Sequence, residues 1–600
     1  MLRSLRPLLP YLKRYRLGYL WGGLSVVCNN ATAILIPLVV GRASEDLKTG
    51  VTRDKMSHYA LLLLVIVSTK GLFTFLMRWI VIGISRDIEL DLRNDLFRQL
   101  ERLSWSWYQR TRTGDIMARV TNDLNAVRNL LGPAFMYSAN TLFFTVGALV
   151  FMCRMNPKLT VYAFLPLPVV SVLIQYFGRR IHDRFERIQA QFSDISARAQ
   201  ENFSAARVIR AFVQEKAEIN AFEKSNREYI GRSLKLVRLL GMLWPTLEMM
   251  LGFAIVLVLW LGGRDVIRGK MEFGDFVAFN FYMIQLTFPV IALGWVVSIF
   301  QKGTASLGRI DEIMKEKPEV VDRSGGGFTG REGRPLQLNG EIEFRNLTFS
   351  YGIRSDTTSG PNGDVSHPVL QNVSLRIPAG TSLAIVGPTG SGKSTLVSLI
   401  PRIYDVSEGE VMIDGVPISD YPLEALRSNI GFVPQETFLF GDTIRQNIAL
   451  GASQATMDEV RYAAEAASID ADIESFPDQY ETVVGERGIT LSGGQKQRTA
   501  IARALARNPR ILILDDALSS VDTQTEDHIL NHLREIMSDR TTIFISHRVS
   551  TVRNADRIAV LHGGHIVEFG SHDELIALDG YYADLYNKQL LEEELAEETV

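Results

Sequence analysis

Gly387-Pro388-Thr389-Gly390-Ser391-Gly392-Lys393-Ser394-Thr395 decides the fold of the second half of this chain. The stretch fits G-x-x-x-x-G-K-[ST], a loop whose backbone N–H groups wrap a polyphosphate while the lysine neutralises it and the next hydroxyl helps hold a divalent cation. Its setting agrees. The apolar run Ser382 to Val386 reads as a buried strand entering the loop, and Leu396 to Ile400 opens a helix whose N-terminus favours anions. That context outweighs the plainer reading, a glycine-rich turn ahead of a helix.

A second stretch, Leu491-Ser492-Gly493-Gly494-Gln495, precedes a helical run to Ala506, so small residues again stand at a helix start able to receive phosphate. With both stretches on the page, the chain resembles the ATP-binding cassette (ABC) superfamily, in which Leu491 to Gln495 would be the signature. The resemblance implies that the signature of one cassette closes over ATP held by another. One chain carrying one of each then needs a partner.

The 600 residues predict two or more domains, and a net charge of −3 gives no electrostatic case for nucleic acid. Cys28 and Cys153 both sit in apolar runs and read as small hydrophobes, without bearing on redox compartment. Apolar runs cover about 17–41, 59–84, 132–153, 156–177, 239–263 and 274–300, each near the roughly 20 residues that cross about 30 Å of hydrocarbon. The first continues through Val40, too long for the apolar core of a signal peptide. With the N-terminus inside, the inward segments 1–16, 85–131 and 178–238 hold 26 Lys and Arg against 8 in the outward loops. That orientation puts everything after residue 300 in the cytoplasm, and the expected site is the plasma (inner) membrane.

The domains expected are 1–315, six membrane helices; 316–340, a linker; 341–588, an α/β cassette; and 589–600, an acidic tail. The fold class is thus an all-α membrane domain with long cytoplasmic helical extensions, followed by an α/β P-loop domain. The spacing of Ile88, Leu92, Leu96 and Leu100 predicts that the inward segments are helical stalks. Gly114 to Arg119 and Arg210 to Glu215 resemble the two coupling segments of ABC exporters. Residues 352–368 read as a surface loop without an assigned role.

Ile511-Leu512-Ile513-Leu514-Asp515 reads as a central parallel strand presenting a carboxylate at its C-terminal edge. By the resemblance, Ser394, Gln435 and Asp515 would serve Mg²⁺, and Tyr351 would stack on adenine. His547 would contact the γ-phosphate, Gly485 to Gly488 would touch coupling segments, and Ser519 to Asp522 would face the paired cassette. One position departs from the family. Asp516 stands where the general base is usually glutamate, and its carboxylate falls about 1.5 Å short. A misplacement of about 1 Å costs on the order of 10²-fold in rate. The site is expected to bind Mg·ATP and hydrolyse it slowly, like the weak-base chain of heterodimeric exporters; a homodimer with a slow base is the alternative.

Lys70 and Arg78 in the second span and Glu248 in the fifth are charged where charge is costly; they read equally as an ion pair or a substrate contact. Phe281, Tyr282, Gln285 and Phe288 in the sixth span offer an aromatic wall with one amide, or ordinary packing. The expectation is ATP-driven export of a hydrophobic or amphipathic solute, drug or lipid, by half of a dimeric transporter in the bilayer. Lipid translocation by the same engine, and an ATP-gated channel or regulatory subunit, stay open.

Overall fold

The computed structural model describes residues 2–50, 52–322, 338–351, 368–452, 454–485, 491–519, 529, 532, 539–546 and 548–598. Two compact units emerge: residues 1–99 with 114–315, and residues 100–113 with 316–600.

The first unit is helical. After a 3-10 turn, Leu2–Leu8, come α1 (Leu9–Arg14), α2 (Arg16–Thr49) and α3 (Arg53–Arg102). α4 (Trp105–Arg110) falls in the stretch that belongs to the second unit. Back in the first unit, α5 (Thr113–Ala118), α6 (Leu124–Asn129) and α7 (Phe135–Met155) form one path joined by the π-type turns Arg119–Asp123 and Leu130–Ala134. Then follow α8 (Pro157–Phe164), α9 (Leu167–Ser204), α10 (Ala206–Ala211), α11 (Glu215–Ile267) and α12 (Phe273–Lys315). Among the described residues four stretches are long and apolar enough to cross a membrane: Arg16–Lys48, Arg53–Arg102, Thr113–Met155 and Glu215–Ile267. The expected fourth and sixth spans lie on α8–α9 and α12, several of whose side chains fall outside the described set. At 53 residues α11 is about 80 Å long, far more than hydrocarbon requires, so it runs well beyond any bilayer.

Polar clamps knit these helices. Asn29 and Asn30 on α2 both donate to the Asn140 side-chain oxygen on α7, at 3.3 and 3.1 Å, and Thr74 on α3 donates to Asn29 at 2.8 Å. In a medium without water, such buried amides need each other. Ahead of the apolar run 132–153, Asp123 is buried and accepts from Ser306 and Arg309 of α12, at 2.9 and 2.8 Å. Burial pushes the Asp123 carboxyl up, but these donors outweigh it and hold it below its ordinary value.

The second unit is built on two sheets. A four-stranded sheet has β1 (Ile342–Phe349) between β2 (Leu370–Ile377) and β4 (Glu408–Ile413), with β5 (Val416–Pro417) at the edge. A six-stranded sheet runs β10-β9-β3-β8-β7-β6, where β3 is Ser382–Val386, β6 Ile430–Val433, β7 Ile511–Asp515, β8 Thr541–Ile545, β9 Arg557–His562 and β10 His565–Gly570. β3, β6, β7, β8 and β9 are parallel, and the continuous burial of β3, β7 and β8 shows why they read as unbroken apolar runs. Helices α13 (Lys393–Leu399), α14 (Leu423–Ser428), α15 (Ile444–Ala449), α16 (Met457–Ala466), α17 (Asp470–Glu474) and α18 (Gly493–Ala506) complete the part that positions the site. One core joins the two sheets around Ile385, Leu396 and Ile413; a second lies between the parallel sheet and α15–α18 around Val433, Ile448 and Ile501.

Candidate nucleotide site

Strand register brings the candidate residues to one edge. Ile385 on β3 and Asp515 on β7 both pair with Ile545 on β8, and Val433 on β6 pairs with Leu514. Gly387, Asp515, Asp516 and Gln435 therefore leave the carboxyl ends of neighbouring parallel strands, where α/β sheets bind their ligands. Gln435 is solvent-exposed there. His547 lies outside the described residues, as do 352–367, 486–488 and 520–522, so most of the expected surface loop and both contact segments do too.

The loop owes its shape to glycine. Gly387 has φ +147°, and a Cβ there would stand 2.1 Å from the Leu561 carbonyl oxygen. Gly392, in the left-handed region at φ +101°, caps α13. Pro388, Thr389, Gly390 and Ser391 span the turn between them, and among the described residues the buried Ser391 hydroxyl has no hydrogen-bond partner. Lys393 is 7% exposed and donates from Nζ to the carbonyls of Gly387 and Pro388 at 2.8 and 3.0 Å. An ammonium has three donors, so one remains for a ligand. Burial lowers the Lys393 pKa, and the carboxylates of Asp515 and Asp516 push it back up. Ser394 Oγ donates to Asp515 Oδ1 at 2.9 Å. That hydroxyl–carboxylate pair is a hard oxygen set of the kind that holds Mg²⁺ together with substrate phosphates and water.

Asp516 adopts the left-handed φ of +49°, a conformation aspartate visits more readily than most side chains. Its N–H donates to the Ile545 carbonyl at 3.1 Å, and its own carbonyl accepts from Ser519 Oγ at 3.0 Å. Ser519 Oγ in turn accepts from Gln497 of α18 at 3.0 Å. The turn carrying Asp516 is thus tied to α18. Sequence reading passed over Gln497, a buried polar residue inside that helix.

Within the signature, Leu491 is buried and Ser492 caps α18 through a reciprocal box with Gln495. Ser492 and Gly493 are exposed, with Gly494 and Gln495 half-buried behind them. Gln495 also donates to Asp472 of α17 at 2.9 Å, which Arg498 pairs from the other side at 2.8 Å. The helix start is therefore rigid and open to solvent.

Tyr351 hydrogen-bonds Thr395 Oγ1 at 2.7 Å and meets Phe349 and Tyr404 edge-on, at centroid distances of 5.1 and 5.3 Å. It stays 44% exposed, so a ring face is left for a base. Tyr404 was not singled out from sequence. Burial, and after it the neighbouring Tyr351, push its pKa up to about 12 against the lowering influence of Gln109 and Trp105, so it stays protonated. Ser104 holds the same segment by accepting from the N–H groups of Glu319 and Val320 at 2.8 and 3.1 Å. Residues 100–113, carrying α4, cluster with the cassette, and Gly114 to Arg119 with the helical unit.

In the helical unit, Lys70 is half-buried while Arg78 and Glu248 are exposed, and among the described residues no ion pair joins them. The aromatic wall changes too. Phe281 is exposed and Gln285 half-buried, but Tyr282 is fully buried and donates to the Ile34 carbonyl at 2.6 Å, so it packs α12 on α2; the Phe288 side chain lies outside the described set.

Comparison with known proteins agrees with this geometry. Residues 19–290 match the family model for the ABC transporter transmembrane region, and residues 370–519 that for the ABC transporter. The chain is 35% identical over 588 residues to YheI of Bacillus subtilis (strain 168), a probable multidrug resistance ABC transporter ATP-binding/permease protein, covering 97% of both. It is 38% identical to the multidrug resistance-like ATP-binding protein MdlA of Escherichia coli (strain K12), covering 87% of this chain and 85% of that one. It is 37% identical to an ATP-dependent lipid A-core flippase of Syntrophus aciditrophicus (strain SB), covering 94% and 90%. A solved bacterial Atm1-family ABC exporter with ATP bound superposes with a TM-score of 0.76 at 29% identity, covering 96% of this chain and 98% of that one. Phosphate loop, signature helix and helical membrane unit together make this chain an ABC exporter half-transporter, a member of the ABC transporter family that couples ATP hydrolysis to export.

Proposed function

We propose that this chain exports a hydrophobic or amphipathic solute from the cytoplasmic side of the plasma membrane as the weak-base partner of a heterodimer. The observation that carries the partner assignment is Asp516 in a sequence that otherwise carries each expected nucleotide motif. The Lys393 ammonium on the loop carbonyls and the Ser394–Asp515 pair support Mg·ATP binding, and Asp516 is one methylene shorter than the glutamate expected as base. The exposed, rigid signature start at Ser492 and Gly493 is what a second chain's ATP would need. Mg²⁺ held by Ser394 and Asp515, with Gln435 at the same edge, would neutralise the phosphates. Tyr351 would stack on adenine and His547 would reach the γ-phosphate.

Relatives named for multidrug resistance support a drug-like cargo; relatives named as lipid A-core flippases support a second reading, translocation of a lipid. The excess of basic residues on the inward segments supports the orientation. Exposed apolar residues near the end of the α9–α11 hairpin, Phe203, Phe212 and Val213, support a second subunit that covers them.

ATP turnover by the purified chain reconstituted alone tests the weak-base assignment. A very low rate that rises when a glutamate-bearing companion is added is the expected result. Robust turnover by the chain alone, unchanged by Asp516→Asn, contradicts it.

A further inference from the structure

The N-terminal turns put Leu5, Leu8 and Leu12 at spacings of three and four, on one face, and Leu8 is buried. That face walls an apolar groove of about 560 Å³. Tyr19 and Phe135 close the opposite side, edge-on at 5.5 Å, with the Tyr19 hydroxyl donating to the Leu131 carbonyl at 3.2 Å. The turn is held in place from α3: Tyr11 donates to Asp95 at 2.7 Å, and Tyr15 and Arg14 both reach Asp91, at 3.0 and 3.1 Å. The groove is therefore a fixed feature of the helical unit.

Its one charged lining residue is Arg16. The neighbouring Arg14 is answered by Asp91, but among the described residues Arg16 has no carboxylate partner. Arg16 opens a helix long and apolar enough to cross a membrane and stands one residue ahead of the apolar run that starts at Leu17, the position at which a flanking cation meets headgroups. Leu20, also in the lining, lies one turn deeper, about 6 Å along the axis. A cation at the mouth and an apolar floor beneath it match an amphiphile with an anionic head and a hydrocarbon tail.

We propose that this groove holds an acyl chain of an anionic glycerophospholipid whose phosphate is bound by Arg16. A zwitterionic lipid brings its own ammonium, which competes with Arg16 for that phosphate, so the site discriminates by headgroup charge. The site requires only a membrane and stands apart from the export reading.

The full chain is placed in bilayer discs of equal parts phosphatidylglycerol and phosphatidylcholine, released into mild detergent, and weighed by native mass spectrometry with its retained lipids. Wild type is expected to keep phosphatidylglycerol over phosphatidylcholine. Arg16→Gln should cut that preference by about fivefold, the effect of one cation at a headgroup, and Arg16→Lys should retain it. Lys13→Gln, which removes a charge that does not line the groove, should leave it unchanged. Leu20→Trp fills the groove, keeps the charge, and should release the lipid, giving a reading that does not depend on how Arg16→Gln folds. Equal retention of both lipids by wild type, a preference that survives Arg16→Gln, or an equal loss in Lys13→Gln would overturn the proposal.

Discussion

Tyr404 stands edge-on to Tyr351, ring centroids 5.3 Å apart at 82°, with Trp105 and Gln109 of the α4 segment beside its hydroxyl. One residue therefore touches both the aromatic expected to stack on adenine and the α4 segment that packs with the cassette. Tyr404→Phe keeps the ring and deletes the hydroxyl. ATP binding, followed by titration with a fluorescent analogue, should stay within about twofold, while the cassette loses about 0.5–1.5 kcal/mol, the range for one polar hydroxyl contact. Transport should fall more than binding does. Tyr404→Ala should weaken binding as well, because Tyr351 loses a packing partner.

Asp516→Glu should raise the steady-state ATPase rate by about 10²-fold if reach is what limits it. The gain has a structural cost. At φ +49° a glutamate is less at ease than aspartate, so the variant should melt lower by about 1 kcal/mol. Rate and melting temperature should move in opposite directions, which stopped-flow phosphate release and thermal unfolding read separately.

Gly493→Asp separates folding from pairing. Gly493 is exposed at the first turn of α18, where a carboxylate stabilises the helix by about 0.3–1 kcal/mol. The single chain should therefore be no less stable. A carboxylate facing a partner's γ-phosphate should nonetheless lower turnover of the assembled transporter by about 10²-fold, the loss typical of a missing anion donor.

The Asp123 clamp sets an acid limit. Its carboxyl titrates below the ordinary value of 3.8 because Ser306 and Arg309 donate to it, so its stabilisation is complete above that value and is lost as pH falls through the lower folded one. Asp123→Asn should cost about 1.5–3 kcal/mol at neutral pH, the range for hydrogen bonds to a charged group. Melting curves for variant and wild type should converge below about pH 4.

What the sequence made legible was local. The phosphate loop, the Asp515 strand end and the signature box are each written within a dozen neighbouring residues; the resemblance to the ABC superfamily, rather than spacing, supplies the expected roles of Asp515 and the signature. Tyr404 was illegible because its partners come from distant segments, 105–109 and 351, joined only by the fold. Tyr282 looked like cavity lining from composition, yet the Ile34 carbonyl on another helix decides which way it faces.

The central claim is that one chain supplies half of each ATP sandwich. Counting cassettes per ATP-hydrolysing particle, by mass measurement of the full chain in lipid discs under saturating Mg·ATP with candidate companions present, tests it most directly. Two cassettes in every active particle is the predicted result. A particle holding a single cassette that still hydrolyses ATP would contradict it.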